Sequence, residues 1–148
     1  LYEQLNNLNN PAFEYINDER LQHDIWDICQ DLPSLAEQAH IYRRRTIRFN
    51  SISLLWLREL TKLVTLIAVG NQCWSLCRLL TVLSQINDFD SWLVKRGYIT
   101  PSILTAEVVQ QWGQNKSYHQ KSSLYGLFRV LRQLNCIQFQ PYLGQLQN

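Results

Sequence analysis

From residue 50 onward, apolar residues recur at helical spacing. Leu57, Leu60, Val64 and Ile67, flanked by Trp56 and Leu63, form one ladder. Leu76, Leu79, Leu80, Leu83, Ile86, Phe89, Trp92 and Leu93 form a second. Val108, Val109 and Trp112 form a third, and Leu124, Leu127, Phe128, Leu131 and Leu134 a fourth. Steps of three and four residues put each set on one helix face. The punctuation agrees. Asn50 or Ser51 offers an N-cap to the first helix, and Gly70 stands where a C′ residue of positive φ would end it. The second helix runs from about Gln72 to Arg96, and Gly97 follows its last basic turn. After the Thr100-Pro101 turn, Thr105 caps a short third helix that Gly113 stops. Ser117-Tyr118-His119-Gln120 has the capping-box pattern and opens the fourth. Four helices with short loops and one apolar stripe each predict an all-α fold, a small four-helix bundle. Residues 50–136 suffice for a viable core.

The pattern upstream is less regular. Residues 1–12 are Asn-rich and end near Pro11, which predicts a poorly ordered lead. Between Phe13 and Leu32, the positions of Tyr15, Ile16, Leu21, Ile25, Trp26 and Ile28 predict a short helix or two turns, broken by Pro33. Pro33–Arg45 reads as a helical turn or linker, and Thr46–Phe49 alternates with period two and reads as extended. Cys136–Phe139 is short and apolar, and Pro141 closes the bundle. The expected organisation is an irregular, short-helical N-terminal arm at 1–49, a helical domain at 50–140 and a tail or linker at 141–148.

Composition narrows the classes. Of 148 residues, 46% are hydrophobic and 18% charged, which is a globular balance, and five Gly with four Pro favour helix over turns. The most apolar run, Val64–Val69, is interrupted by Thr65 and is too short to span a membrane. The chain starts at Leu1 without a signal-peptide pattern and contains no Met, which suggests a piece of a longer, cytoplasmic protein. Cys29, Cys73, Cys77 and Cys136 then read as reduced thiols. Cys73 and Cys77, even with His119 or Cys136, lack the paired spacing of a zinc site and read as small buried core residues. No metal and no cofactor are expected. His23, His40 and His119 form no nucleophilic triad with Ser or Cys. Asp88 and Asp90 fall on different helix faces and read as surface features, and no Gly-rich phosphate loop occurs. Catalysis, and with it a small-molecule substrate, is not expected within these residues. Trp92 and Trp112 read as core; Trp56 and Trp74, at helix starts, read as core first and as protomer contacts second.

Charge changes the picture. The net +2 hides an asymmetry: residues 1–40 carry one base, Arg20, against eight acids, while residues 41–148 carry thirteen bases against four acids. The longer part is a clearly basic unit, suited to nucleic acid or an acidic partner. Arg43, Arg44, Arg45 and Arg48 are the densest run. They either follow phosphates or pair with the acidic residues before them. Lys116, Ser117, Tyr118, His119 and Lys121 cluster where the fourth helix begins, so that hydroxyls and amides add to charge against a phosphate backbone. Arg129 and Arg132, three apart and off the apolar stripe of that helix, and Arg78 on the second are further DNA-contact candidates; for Arg129 and Arg132 the plainer reading is a solvated face.

The order of features carries a resemblance. Leu57-Arg58-Glu59-Leu60-Thr61-Lys62 is followed by the Gly70-Asn71-Gln72 turn and by a long helix with Leu79, Leu83, Phe89, Trp92 and Leu93 closing on Arg96-Gly97. Then come Ile103-Leu104-Thr105-Ala106-Glu107-Val108-Val109, the Lys116-Ser117 turn, and Leu124, Leu127, Phe128 and Leu131. This succession resembles the N-terminal core-binding, SAM-like domain of tyrosine recombinases, the phage-integrase family. Asp24-Ile25-Trp26-Asp27, and Phe49-Asn50-Ser51-Ile52 ahead of Trp56-Leu57-Arg58-Glu59-Leu60, are similar to its transposase branch. The resemblance covers about residues 24–140.

It implies a DNA-holding module whose second and fourth helices face double-stranded DNA at a recombination half-site, with other recombinase protomers as partners. It also implies that strand cleavage belongs to a C-terminal domain; the family's Arg, Lys, His-x-x-Arg, His and Tyr set finds no match here. Two other readings stay open: a helical module or regulator that binds an acidic protein, and an acidic N-terminal part that masks the basic face or meets a neighbouring protomer.

Overall fold

A computed structural model describes residues 14–134. The fold is predominantly α-helical. In chain order it contains a 3-10 turn at Glu19–Gln22, strand β1 (Ile25–Asp27), helices α1 (Ile28–Asp31) and α2 (Ala36–Ile41), and strand β2 (Thr46–Arg48). Four longer helices follow: α3 (Leu55–Gly70), α4 (Leu76–Lys95), α5 (Ala106–Gly113) and α6 (Tyr118–Gln133). They correspond to the four apolar ladders. The Asn-rich lead, Cys136–Phe139 and Pro141 lie outside the described residues.

Local chemistry sets most helix ends. The Ser75 hydroxyl accepts from the Arg78 N–H, so α4 starts at Leu76 and not near Gln72. Thr105 caps α5 through the Val108 N–H. At α6, Ser117 and Gln120 each accept from the other's backbone, so the expected capping box is complete. Gly97, with φ of 74°, ends the turn after α4. The end of α3 differs from expectation. Gly70 is its last helical residue, and the left-handed position is Gln72, with φ of 59°. At Gly70 the Tyr15 hydroxyl lies 2.9 Å from where a Cβ would stand, so a side chain there would displace the tip of Tyr15.

The start of α3 also differs. Asn50 and Ser51 belong to a separate 3-10 turn, and α3 begins at Leu55 with no side-chain cap of its own. Its cap comes from α4. The Asp90 carboxylate, 1% exposed, accepts from the Ser53 N–H at 2.8 Å and the Leu54 N–H at 3.0 Å. Asp90 is therefore a buried capping group and not the surface feature its spacing suggests. Asp88, on another face of the same helix, does reach the surface.

Helix α3 is buried along nearly its whole length from Leu57 to Val69, as a helix covered on several sides must be. Its polar interruptions are satisfied locally: Thr61 donates to the Leu57 carbonyl and Thr65 to that of Thr61. The bundle covers one side, where α4 packs most extensively on α6 around Phe89. The Phe89 ring meets Trp112 of α5 edge-on at 5.8 Å and Phe128 of α6 at 6.1 Å.

The other side of α3 is covered by residues 15–52, which are not an independent arm. Trp26, Ile28, Leu32, Leu35, Ile47 and Phe49 are buried in the same hydrophobic cluster as the bundle. The boundary expected at residue 49 is thus absent from the packing. β1 and β2 pair antiparallel with Trp26 opposite Ile47. Of the short helix or two turns expected between Phe13 and Leu32, two short helical turns are present, Glu19–Gln22 and α1, with the unexpected strand β1 between them, where Trp26 turns inward. Its indole N–H donates to the carbonyls of Arg20 and His23, and its ring meets Phe49 edge-on at 4.6 Å.

One ionic contact fastens the two sides. The Lys62 ammonium, 1% exposed on α3, reaches Asp24 at 2.7 Å, Glu59 at 3.1 Å and the Leu21 carbonyl at 3.1 Å. Arg58 adds a second contact to Asp24 at 3.3 Å and donates to the Ile52 carbonyl.

Two substitutions measure these devices. Lys62→Met removes the partner of two half-buried carboxylates and is expected to lower stability by about 3 kcal/mol, the lower end for a broken buried ion pair, because both carboxylates retain access to water. Asp90→Ala leaves two amides without an acceptor and is expected to cost about 2 kcal/mol. Urea unfolding followed by circular dichroism checks both; a loss under 0.5 kcal/mol, roughly the scale of a surface substitution, would contradict either assignment.

Candidate nucleic-acid interface

The turn after α2 brings the basic run to the surface. Arg43 has a left-handed φ of 53°, and the chain reverses there to enter β2. β2 then alternates: Ile47 points into the core, and Thr46 and Arg48 point away from it. A groove of about 590 Å³ lies between this segment and α4. Arg44, Arg45 and Arg48 line one wall, and Ser51, Ser84 and Asn87 bring neutral polar groups to it. Among the described residues no carboxylate lines the groove. The Ser51 hydroxyl lies 2.8 Å from the Asn87 side-chain oxygen and 3.0 Å from the Arg48 carbonyl, and its single proton, shared between these two acceptors, ties the two walls together. Arg43, Arg44 and Arg45 also border a second hollow, beside His40 and Cys29.

The arginines are only lightly committed within the fold. Arg44 donates to the Thr46 carbonyl at 3.3 Å. Arg45 touches Asp27 at 3.5 Å with its side chain 87% exposed, a contact of small energetic weight. So the acidic segment does not neutralise the run. Its carboxylates are used elsewhere: Asp18 by Arg20, Asp24 by Lys62 and Arg58, and Asp31 by the Asp27 N–H.

The candidates around α6 are divided. Lys116 is held by Asp88 at 2.6 Å and lies over the Trp112 ring at 5.3 Å. The same carboxylate accepts from the Trp112 indole at 2.9 Å. Partial burial pushes the Asp88 pKa up, but hydrogen bonds from Lys116 and Trp112 and the Lys116 charge outweigh it and hold the carboxyl below its usual range. The Ser117 hydroxyl is occupied by the capping box. Lys116 and Ser117 therefore have structural partners where phosphate contacts were expected. His119 is exposed, its ring edge-on to Tyr118 at 5.8 Å, while the Lys121 stem covers Gly113.

Arg78 is half-buried against α6. It donates to the Ser122 carbonyl at 3.1 Å, and its guanidinium lies 3.2 Å from where a Cβ on Gly126 would stand. Burial, and then the nearby Arg129 charge, lower its pKa, with Tyr118 opposing. Arg129 and Arg132 are exposed on α6. Arg78 and Arg129 thus lie on the α4–α6 side of the bundle, whereas Arg44, Arg45 and Arg48 border the groove on the other side of α4.

Sequence spacing missed the neutral half of the groove. Ser84 and Asn87 are about one turn apart on α4, just outside its buried stripe, a signal that is legible once the helix is placed. Cys73 and Cys77, expected in the core, are exposed, since both precede or begin α4 on its outer side. Of the helix-start tryptophans, Trp74 is buried and Trp56 is partly buried, its indole donating to the Ile99 carbonyl. No helix among the described residues is long and apolar enough to cross a membrane. No family model, no curated protein and no solved structure matches the chain.

The carboxylates give a pH signature. Hydrogen bonding from Lys62, with the Lys62 and Arg58 charges, lowers the Asp24 pKa, and Arg20 does the same for Asp18. With Asp88, three folded-state values lie below their unfolded ones. Their stabilisation is complete above the unfolded pKa of about 4 and is lost as pH falls through the folded values. Thermal unfolding scanned downward from neutral pH should show a steady melting temperature that drops only in the acid range, and the drop should be shallower in Asp24→Asn.

Proposed function

We propose that this chain binds the phosphate backbone of double-stranded DNA through the groove between β2 and α4. The observation that carries the reading is the lining: three guanidiniums with neutral hydroxyl and amide groups around apolar side chains such as Ile52 and Leu83, and no carboxylate among the described residues. Guanidiniums present forked donors that match phosphate oxygens, and the neutral groups add donors without adding charge. Fixed placement on and beside a strand whose alternate residue is core distinguishes this wall from a solvated charge run.

In the wider reading, which the order of sequence motifs supports, the bundle holds one recombination half-site for a tyrosine recombinase. Strand cleavage would then belong to a separate catalytic part, and other protomers would complete the assembly. A helical module for an acidic protein is the second reading. The exposed apolar residues Ile41 and Tyr42 beside the arginines favour it.

Fluorescence anisotropy of chain 1–148 with a random-sequence duplex, over a salt series, tests the proposal. The logarithm of the binding constant should fall linearly with the logarithm of salt concentration. Replacing Arg44, Arg45 and Arg48 together by Gln should flatten the slope by about 0.9 for each phosphate that is no longer neutralised. An unchanged slope, or no binding at low salt, overturns the reading.

A further inference from the structure

The two basic clusters sit on opposite sides of one helix. At about 100° per residue, Arg78 lies at roughly 180° around α4 from the Leu80, Leu83, Ser84 and Asn87 positions that border the groove. The contacts agree with the wheel. Arg78 reaches Ser122 and Gly126 of α6, whereas Asn87 reaches Ser51 on the β2 side. Arg129 is exposed on α6 about one turn beyond Gly126, on the side of that helix that Arg78 reaches, and among the described residues neither guanidinium has a carboxylate at ion-pair distance. Two like charges held together without a counterion destabilise each other, and a bound anion relieves this. Gly126 helps to create the arrangement, because any side chain there would press on the Arg78 guanidinium.

We propose that Arg78 and Arg129 form a second DNA-backbone contact, directed away from the groove, so that a single chain bridges two duplex segments. This rests on the groove reading. A straight duplex touches a convex surface from one side only, and α4 with its side chains is about 10–12 Å thick. A duplex lying along Arg44, Arg45 and Arg48 therefore leaves Arg78 and Arg129 free for another. The second contact has a different character from the first. It offers one exposed and one half-buried guanidinium in place of three exposed guanidiniums.

The test uses two short duplexes of unrelated sequence, one biotinylated and immobilised, the other fluorescent. Chain 1–148 loaded on the first should capture the second. Arg129→Glu, at an exposed position, should abolish most of the capture while leaving anisotropy binding to a single duplex nearly intact. Arg78→Gln should act in the same direction, with circular dichroism confirming that it folds. Light scattering fixes the oligomeric state of the loaded chain. Binding of a single duplex without capture overturns bridging and leaves the groove reading standing. So does capture that survives Arg129→Glu, or that appears only with a dimer. Absence of any duplex binding overturns both.

Discussion

A buried ammonium must have carboxylates beside it, and that requirement at Lys62 organises the molecule. Lys62 stands in a helix that is buried along most of its length. Asp24, which it binds, immediately precedes β1 and accepts the Phe49 N–H through its own carbonyl at 2.7 Å. Fixing Asp24 therefore fixes β1, then β2 through the Trp26–Ile47 register. The wall of the groove follows from β2. A residue on the central helix thus decides where Arg44, Arg45 and Arg48 stand, although it touches none of them.

The charge asymmetry along the chain has the same resolution. Acids before residue 40 and bases after it suggest two bodies that attract or avoid each other. In the fold four of the acids, Asp18, Asp24, Asp27 and Asp31, are spent individually on caps and turns, on Arg20 and on α3. Among the described residues the arginine run is left nearly uncompensated, with the exposed Arg45–Asp27 contact as its one ion pair. What looks like a property of two segments is the sum of several short-range commitments.

The sequence was most readable where structure is local. The α4, α5 and α6 ladders, the Thr105 cap, the Ser117–Gln120 box and the Gly97 stop depend on residues within a turn of one another, and each matches. Period two at Thr46–Arg48 likewise identified β2. Features made by distant residues were hidden. Asp90 caps a helix that starts 35 positions before it. Trp26 overrides a local pattern because its indole finds two carbonyls and a Phe ring. Likewise, the near absence of a polar face from Leu57 to Val69 signalled that α3 needed a second cover, but not which segment supplies it. For the interface, the arginine run and the Arg78–Arg129 candidates were visible as composition. That they lie on opposite sides of α4, and that Lys116 belongs to Asp88, follows only from packing.

The capping of α3 by a residue of α4 bears on how the chain folds. An isolated α3 would have frayed first amides, since its own sequence offers no acceptor there, so its N-terminus closes only after α4 has formed and docked. The two helices then share one opening event. The Ser53 and Leu54 amides become reporters of it, exchanging with solvent on the timescale of the α4 core and not of a helix end.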